Sequence, residues 1–229
     1  MDIQTCTRPR FAVAFGFALL VAFVAPAFAF TYTYPLSSTD IRDAYFIGRR
    51  NDEVTSDFLL KYTRHLDKPS SGAYISDIAI ATPFTQIVTY SSQTANYDAP
   101  SAVQEFQDKP MKFFAHVFIF VANDYKIQQT DSSNSIYPSY RPFWQDFKIE
   151  VAQRQTIHPI SVNGEFLYSS DSNVASGGPN VGAASYGPVG ARVDLEYSAD
   201  KIDSDLTTIS VDSPDGQHVE ATFDLTSLR

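Results

Sequence analysis

Four histidines, one serine among small residues, a carboxylate-rich loop and a run of aromatics are the side chains of this sequence that could do chemistry. The histidines are His65, His116, His158 and His218. No two have the local spacing of an H-x-x-x-H zinc pair. His116 stands between Phe114 and Phe118, and a buried histidine would be the best single catalytic candidate, since function needs a partnered, perturbed group. A core position with one satisfied nitrogen is the simpler reading. Ala183-Ala-Ser185-Tyr-Gly187 matches a relaxed nucleophile elbow, with alanine for the first glycine. An elbow needs a strand before its serine and a helix after it. Gly177-Gly-Pro179 and Gly187-Pro188 flank it instead, so Ser185 reads as a loop serine.

Asp200, Asp203 and Asp205 form the carboxylate cluster, with Asp171 and Asp194 nearby in sequence. Calcium takes several loop oxygens, but this spacing lacks the glycine and terminal glutamate of an EF-hand loop. Solvated turn aspartates are the ordinary alternative, and the expectation is no metal and no cofactor. The most unusual stretch is Ile136-Tyr-Pro-Ser-Tyr-Arg-Pro-Phe-Trp144, where Pro138 and Pro142 stiffen Tyr137, Tyr140, Phe143 and Trp144. Rigid aromatics with a polar edge make stacking platforms for sugars or peptides. Large aromatics also fill cores. Glu150 and Glu165 would be the acid pair of a hydrolase if folding brought them together.

These residues need elements to position them. Ser37-x-x-Asp40 is a capping box, Ile41, Ala44 and Tyr45 have helical spacing, and Gly48 closes the segment. A second apolar stripe, Val54, Phe58, Leu59, Tyr62 and Leu66, follows a cap at Asn51 or Asp52. The spacing predicts helices over 38–48 and 52–66, then a short strand over 74–81. Thr82-Pro83 favours a further helix, with extension of the strand the alternative, and 98–108 reads as another helix. Met111 to Ala122 is apolar on both faces and reads as a central, doubly covered strand. Alternation marks strands at 144–152, 192–197, 206–211 and 219–225. Asn163-Gly164, between two short apolar runs, predicts a hairpin, and Ser213-Pro-Asp-Gly216 a turn. The fold class expected is α+β, with short helices followed by an antiparallel β-sandwich of about seven strands. Phe147, Ile149, Val151, Val193, Leu195, Val219 and Phe223 are its expected core.

Arg8 and Arg10 precede an uncharged run from Phe11 to Ala25, and Pro26 stands before Ala27-Phe28-Ala29. A basic head, an apolar core and an A-x-A end make a cleavable secretory signal. An uncleaved anchor is the rival reading, because the run to Phe30 approaches the roughly 20 residues that span a bilayer. The organisation expected is a signal peptide over 1–29, a helical region with one short strand over 30–110 and a β-sandwich-like domain over 111–229, the last two either separate or one continuous domain. Cleavage leaves 200 residues, of which 15 are basic and 25 acidic, against 17 and 26 in the full chain. Such an acidic surface repels phosphate backbones and anionic headgroups, which argues against nucleic acid and membrane partners. Cys6, the one cysteine, leaves with the leader, so disulfide and thiolate chemistry are absent.

Ile41-Arg-Asp-Ala-Tyr-Phe-Ile-Gly48, Phe58-Leu-Leu-Lys-Tyr62 and Thr82-Pro-Phe-Thr-Gln-Ile-Val88 resemble a signature of uncharacterised secreted proteins from environmental bacteria. The resemblance implies an envelope location and carries no activity. The expected function is a secreted or periplasmic, non-enzymatic binding or structural module of the cell envelope, with a protein or glycan partner. A carbohydrate-binding module using the 136–144 loop is the alternative, and a hydrolase the third class.

Overall fold

The computed structural model describes residues 31–69, 71–122, 127–130, 139–168 and 187–229. The leader, Tyr137 and Ser185 lie outside these residues. Helices α1 (Ser38–Arg50) and α2 (Glu53–Leu60) come first, then strands β1 (Thr63–His65) and β2 (Ala73–Ala81). Helices α3 (Pro83–Gln93) and α4 (Ala99–Phe106) lead into β3 (Lys112–Val121). The remaining strands are β4 (Lys148–Ala152), β5 (Thr156–Ile157), β6 (Ser161–Tyr168), β7 (Pro188–Ser198), β8 (Leu206–Asp212) and β9 (His218–Asp224).

Local chemistry starts each helix where it was expected. The Asp40 backbone N–H donates to the Ser37 hydroxyl, and the Ser37 N–H donates back to the Asp40 carboxylate, both at 3.1 Å. Asp52, Thr82 and Asp98 cap α2, α3 and α4 through their side chains. Each cap of this kind contributes about 1 kcal/mol. The ends differ more. Gly48 does not terminate α1: it is buried inside the helix, where α1 crosses α3, and Asn51 in the left-handed conformation is the cap. Helix α2 stops at Leu60 rather than 66, because Thr63 to His65 pair with Ile78 and its neighbours as β1.

Among the described residues, nine strands fall into two antiparallel sheets, ordered β1-β2-β3-β7-β6 and β5-β4-β8-β9. The expected count of seven missed β1 and β5, set β2 apart and read β6 as two strands. Asn163-Gly164 is not a hairpin: Ser161 to Tyr168 run unbroken along β7. Gly164 is there because the Trp144 indole occupies the space a β-carbon would need, a close approach of the kind that places glycine in a strand. The expected turn at 213–216 does join β8 to β9, with Gly216 at φ +88.

The two sheets share one apolar core. Ile75, Phe113, Val117, Val193, Leu195 and Tyr197 from the first are clustered with Phe147, Val151, Ile209, Val211 and Phe223 from the second. Of the expected core, Ile149 and Val219 are only partly buried. A second cluster holds α1, α3 and α4 together around Ile41, Phe84, Ile87, Val88 and Phe106. On β3, Phe113, Ala115, Val117 and Ile119 are buried, whereas Phe114, His116, Phe118 and Phe120 are half-buried. Central position is thus borne out, but the outer face is open rather than fully covered. At the margin of the core, the Tyr32 backbone N–H donates to the Leu225 carbonyl at 2.8 Å, and the Thr31 hydroxyl to the Thr226 carbonyl at 3.0 Å. Among the described residues, no helix is long and apolar enough to cross a membrane.

Candidate functional site

Of the aromatic run, Tyr140, Phe143 and Trp144 turn towards Phe166, and Tyr137 lies outside the described residues. Pro142 leads into a single tight turn over Phe143–Asp146, closed by an Arg141–Asp146 ion pair at 2.5 Å. A turn this tight sends successive side chains in different directions. Phe143 enters the core, 3 % exposed, with Phe147 at 6.4 Å and Phe166 at 6.3 Å between ring centres. Trp144 is half-buried beneath Gly164 and meets Phe166 edge-on at 4.6 Å. Tyr140 is half-buried 6.0 Å from Phe166. The residue missed from sequence is therefore Phe166, whose place on the inner face follows from its parity with Val162 and Gly164.

Beside Trp144 the layers part. A cavity of about 350 Å³ opens there, lined by Trp144, Phe147 and Ile149 from the β4 side and by Val162, Val193 and Leu195 from β6 and β7. Continuing along the same strands, a second cavity of about 400 Å³ is lined by Ile157, His158, Ile160, Tyr197 and Lys201. Together they form a cleft along the side where β6 faces β4 and β5. Its walls mix apolar side chains with polar ones, Gln145 in the first cavity and Gln155, His158, Tyr197 and Lys201 in the second. One of these is unusual. Tyr197 is 1 % exposed, and its hydroxyl has no hydrogen-bond partner among the described residues. A buried hydroxyl left unpaired costs about 1–3 kcal/mol. Burial also pushes the Tyr197 phenol well above its ordinary pKa, so it keeps its proton and remains a donor.

A cavity of about 290 Å³ lies on the helical side, between Ile47, Val54, Phe58, Tyr62 and Leu228. Its buried phenol is satisfied: Tyr62 donates to the Arg229 carbonyl and accepts from the Arg229 N–H, both at 3.0 Å. Burial raises the Tyr62 pKa to about 12.

Three histidines hold carboxylates. His116 Nδ1 lies 2.7 Å from Asp194, across the β3–β7 register. Arg192 Nε reaches Asp194 at 3.1 Å, and its Nη2 reaches Glu165 at 3.2 Å. Partial burial alone would raise the Asp194 pKa, but the His116 hydrogen bond and the Arg192 charge outweigh it and hold it below the usual carboxylate range. His65 binds Asp77 on the same outer face of the sheet, and His218 lies between Asp212 at 2.6 Å and Glu220 at 3.1 Å. These pairs join surface ion-pair rows, and no cavity described above includes His116, His65 or His218. His158, exposed like His65 and His218, lines the second cavity.

The remaining candidates stay apart. Glu150 pairs with Lys148 at 3.0 Å on β4, while Glu165 faces Arg192 on the other sheet. Strand alternation places these two carboxylates on the outer faces of different sheets, so each meets a cation rather than the other. Asp205 is held by Arg154 at 2.9 Å, Asp200 by the Ser198 hydroxyl, and the Asp203 N–H by Gln153 at 3.1 Å. Among the described residues, no three His, Cys, Asp or Glu side chains come together as a metal site. The chain matches no family model, no curated protein and no solved structure.

Proposed function

We propose that this chain is an exported, non-enzymatic binding module of the cell envelope whose ligand seat is the cleft between the two sheets. The observation that carries the reading is Tyr197: a buried phenol with no partner among the described residues, beside a cleft of mixed apolar and polar lining. A small ligand with an apolar body and one hydrogen-bond acceptor would fill the space beside Trp144 and satisfy that hydroxyl. Cavities of 350 and 400 Å³ fall within the range of small-molecule sites, which are mostly apolar with a few placed polar groups. Export is supported by the leader ending at Ala29, and the acidic surface by an excess of carboxylates. The sugar-stacking alternative draws less support, since Phe143 is buried and the Trp144 ring is engaged by Phe166.

Trp144 is the sole tryptophan, so its fluorescence reports on the cleft. Titration with N-phenyl-1-naphthylamine, a neutral apolar probe, should quench Trp144 saturably by energy transfer. Ile149→Phe, which fills the cavity from β4 and leaves Trp144 the sole tryptophan, should weaken probe binding at least tenfold with the circular dichroism spectrum unchanged. Absence of saturable binding, or binding indifferent to Ile149→Phe, overturns the reading. Oligosaccharide binding lost on Trp144→Ala would replace it with the sugar-stacking one.

A further inference from the structure

An edge strand presents unpaired N–H and C=O groups that template further pairing, and proteins guard such edges with shortness or charge. Three of the four edges here are guarded. β1 has three residues, including Arg64 and His65, and β5 has two. β9 carries His218, Glu220 and Asp224. β6 is different. It runs for eight residues with Glu165 as its one charge, and it has β7 on one side and no strand on the other among the described residues. Three apolar side chains along it, Ile160, Val162 and Tyr168, are 62 %, 55 % and 57 % exposed.

Alternation restricts what can add to this edge. In a continued antiparallel sheet, directly opposed residues must share a face. The inner-face residues are Ile160, Val162, Gly164, Phe166 and Tyr168, and the outer-face ones Ser161, Asn163, Glu165 and Leu167, as their partners on β7 fix. Centring β6 against another β6 on Glu165 would oppose two carboxylates, which is destabilising. Centring it on Gly164 has the reverse result. Val162 then meets Phe166, Ile160 meets Tyr168, and Asn163 meets Glu165, whose carboxylate can accept from the amide. Gly164 faces its own copy, with no side chain to keep the backbones apart. A strand whose charge and apolar pattern is complementary to itself about one residue fits a two-fold interface.

We propose that two copies of this chain pair antiparallel through β6, about a two-fold axis beside Gly164. The dimer joins two five-stranded sheets into one of ten strands and covers Ile160, Val162 and Tyr168. The inference rests on the edge backbone, and because Ile160 and Val162 also line the cleft its readouts are mass and register, not probe binding.

The test combines mass with register. Sedimentation of the protein across a concentration series should show the mass doubling, and Val162→Lys, at an exposed position, should hold it at the monomer mass with an unchanged circular dichroism spectrum. For register, Asn163→Cys and Glu165→Cys are made separately in a Cys6→Ser background. Mixing the two under oxidation should give a disulfide-linked dimer, because opposed residues in a ladder lie within disulfide reach. Either variant alone should give little. A monomer at every concentration, a dimer untouched by Val162→Lys, or efficient self-linking of Glu165→Cys overturns the proposal.

Discussion

Replacing Gly48 by alanine should destabilise the protein, although alanine is the better helix former. In an unencumbered helix interior the change gains about 1 kcal/mol. Here a β-carbon on residue 48 would lie 2.9 Å from the Ser91 Cβ and 3.0 Å from the Val88 carbonyl carbon, and closer still to the Val88 oxygen. Carbon contacts settle at about 3.5–4.0 Å, so α1 and α3 must separate by roughly half an ångström to one ångström. The obstruction is α3 backbone, which no rotamer change relieves. Both helices carry the buried side chains of the second core, Ile41, Ala44, Phe84, Ile87 and Val88, so separation loosens that whole cluster. Overpacking of this kind costs about 1–3 kcal/mol, and the clash with rigid backbone puts it in the upper part of that range, about 2–3 kcal/mol, above the propensity gain. The expected net loss is about 1–2 kcal/mol, read as a fall in melting temperature of about 2–8 °C for a domain of this size. Urea unfolding followed by circular dichroism gives the free energy directly. Arg42→Ala, at an exposed position of the same helix, is the control and should stay within about 0.5 kcal/mol. A Gly48→Ala protein as stable as its parent, or more so, would refute the claim that this glycine exists for helix contact.

Tyr197→Phe removes an unpaired buried hydroxyl, so the free protein should be unchanged or up to about 1 kcal/mol more stable by thermal unfolding; a loss above 1 kcal/mol would mean that the hydroxyl has a partner. Phe147→Ala should cost about 3–5 kcal/mol, since Phe147 is 7 % exposed in the core between the sheets, and a parental melting curve would contradict its inward placement. His218 accepts support from Asp212 first and Glu220 second, so its pKa is raised. Its contribution to stability is complete below the ordinary histidine value of about 6.5 and is lost as pH rises through the folded value. NMR titration should show its midpoint falling on Asp212→Asn; an unmoved midpoint would remove Asp212 as the cause. With no metal group among the described residues, EDTA should leave the melting temperature unchanged, and a drop restored by calcium and abolished in Asp203→Asn would make the aspartate loop a site.

Helix starts were legible because a cap is chemistry within four residues: Ser37 with Asp40, Asp52 with Thr55, Thr82 with Thr85. The inner faces of β3, β4, β7, β8 and β9 were legible for a similar reason, since alternation needs no knowledge of the partner strand. What the partner decides was not. Thr63 to His65 continue a helical stripe in sequence and become strand only because β2 presents an edge to them. Asn163-Gly164 carries hairpin residues, yet its conformation is settled by a tryptophan about twenty positions earlier in the chain. The same holds for the site. Tyr140, Phe143 and Trp144 stood out in sequence as aromatics suited to a stacking platform or to a core. Their direction depended on Phe166, and nothing local to 136–144 points to it. Tyr197 looked like one more alternating core residue. Its lack of a partner is a property of everything around it.

The stitch between Thr31 and Thr226 joins positions 195 residues apart. At synthesis rates of 5–20 residues per second, roughly 10 to 40 s separate the emergence of its two sides. Within it, the apolar face of β3 exists without β7, its neighbour about 75 residues further on, for roughly 4 to 15 s, and Tyr32 exists without Leu225 throughout. Long-range pairings of this kind fold slowly, on millisecond to second scales, even once the chain is whole. The nascent chain therefore cannot complete the first sheet before β7 is made or the second before β9, and its unpaired strands stay open to wrong partners until then.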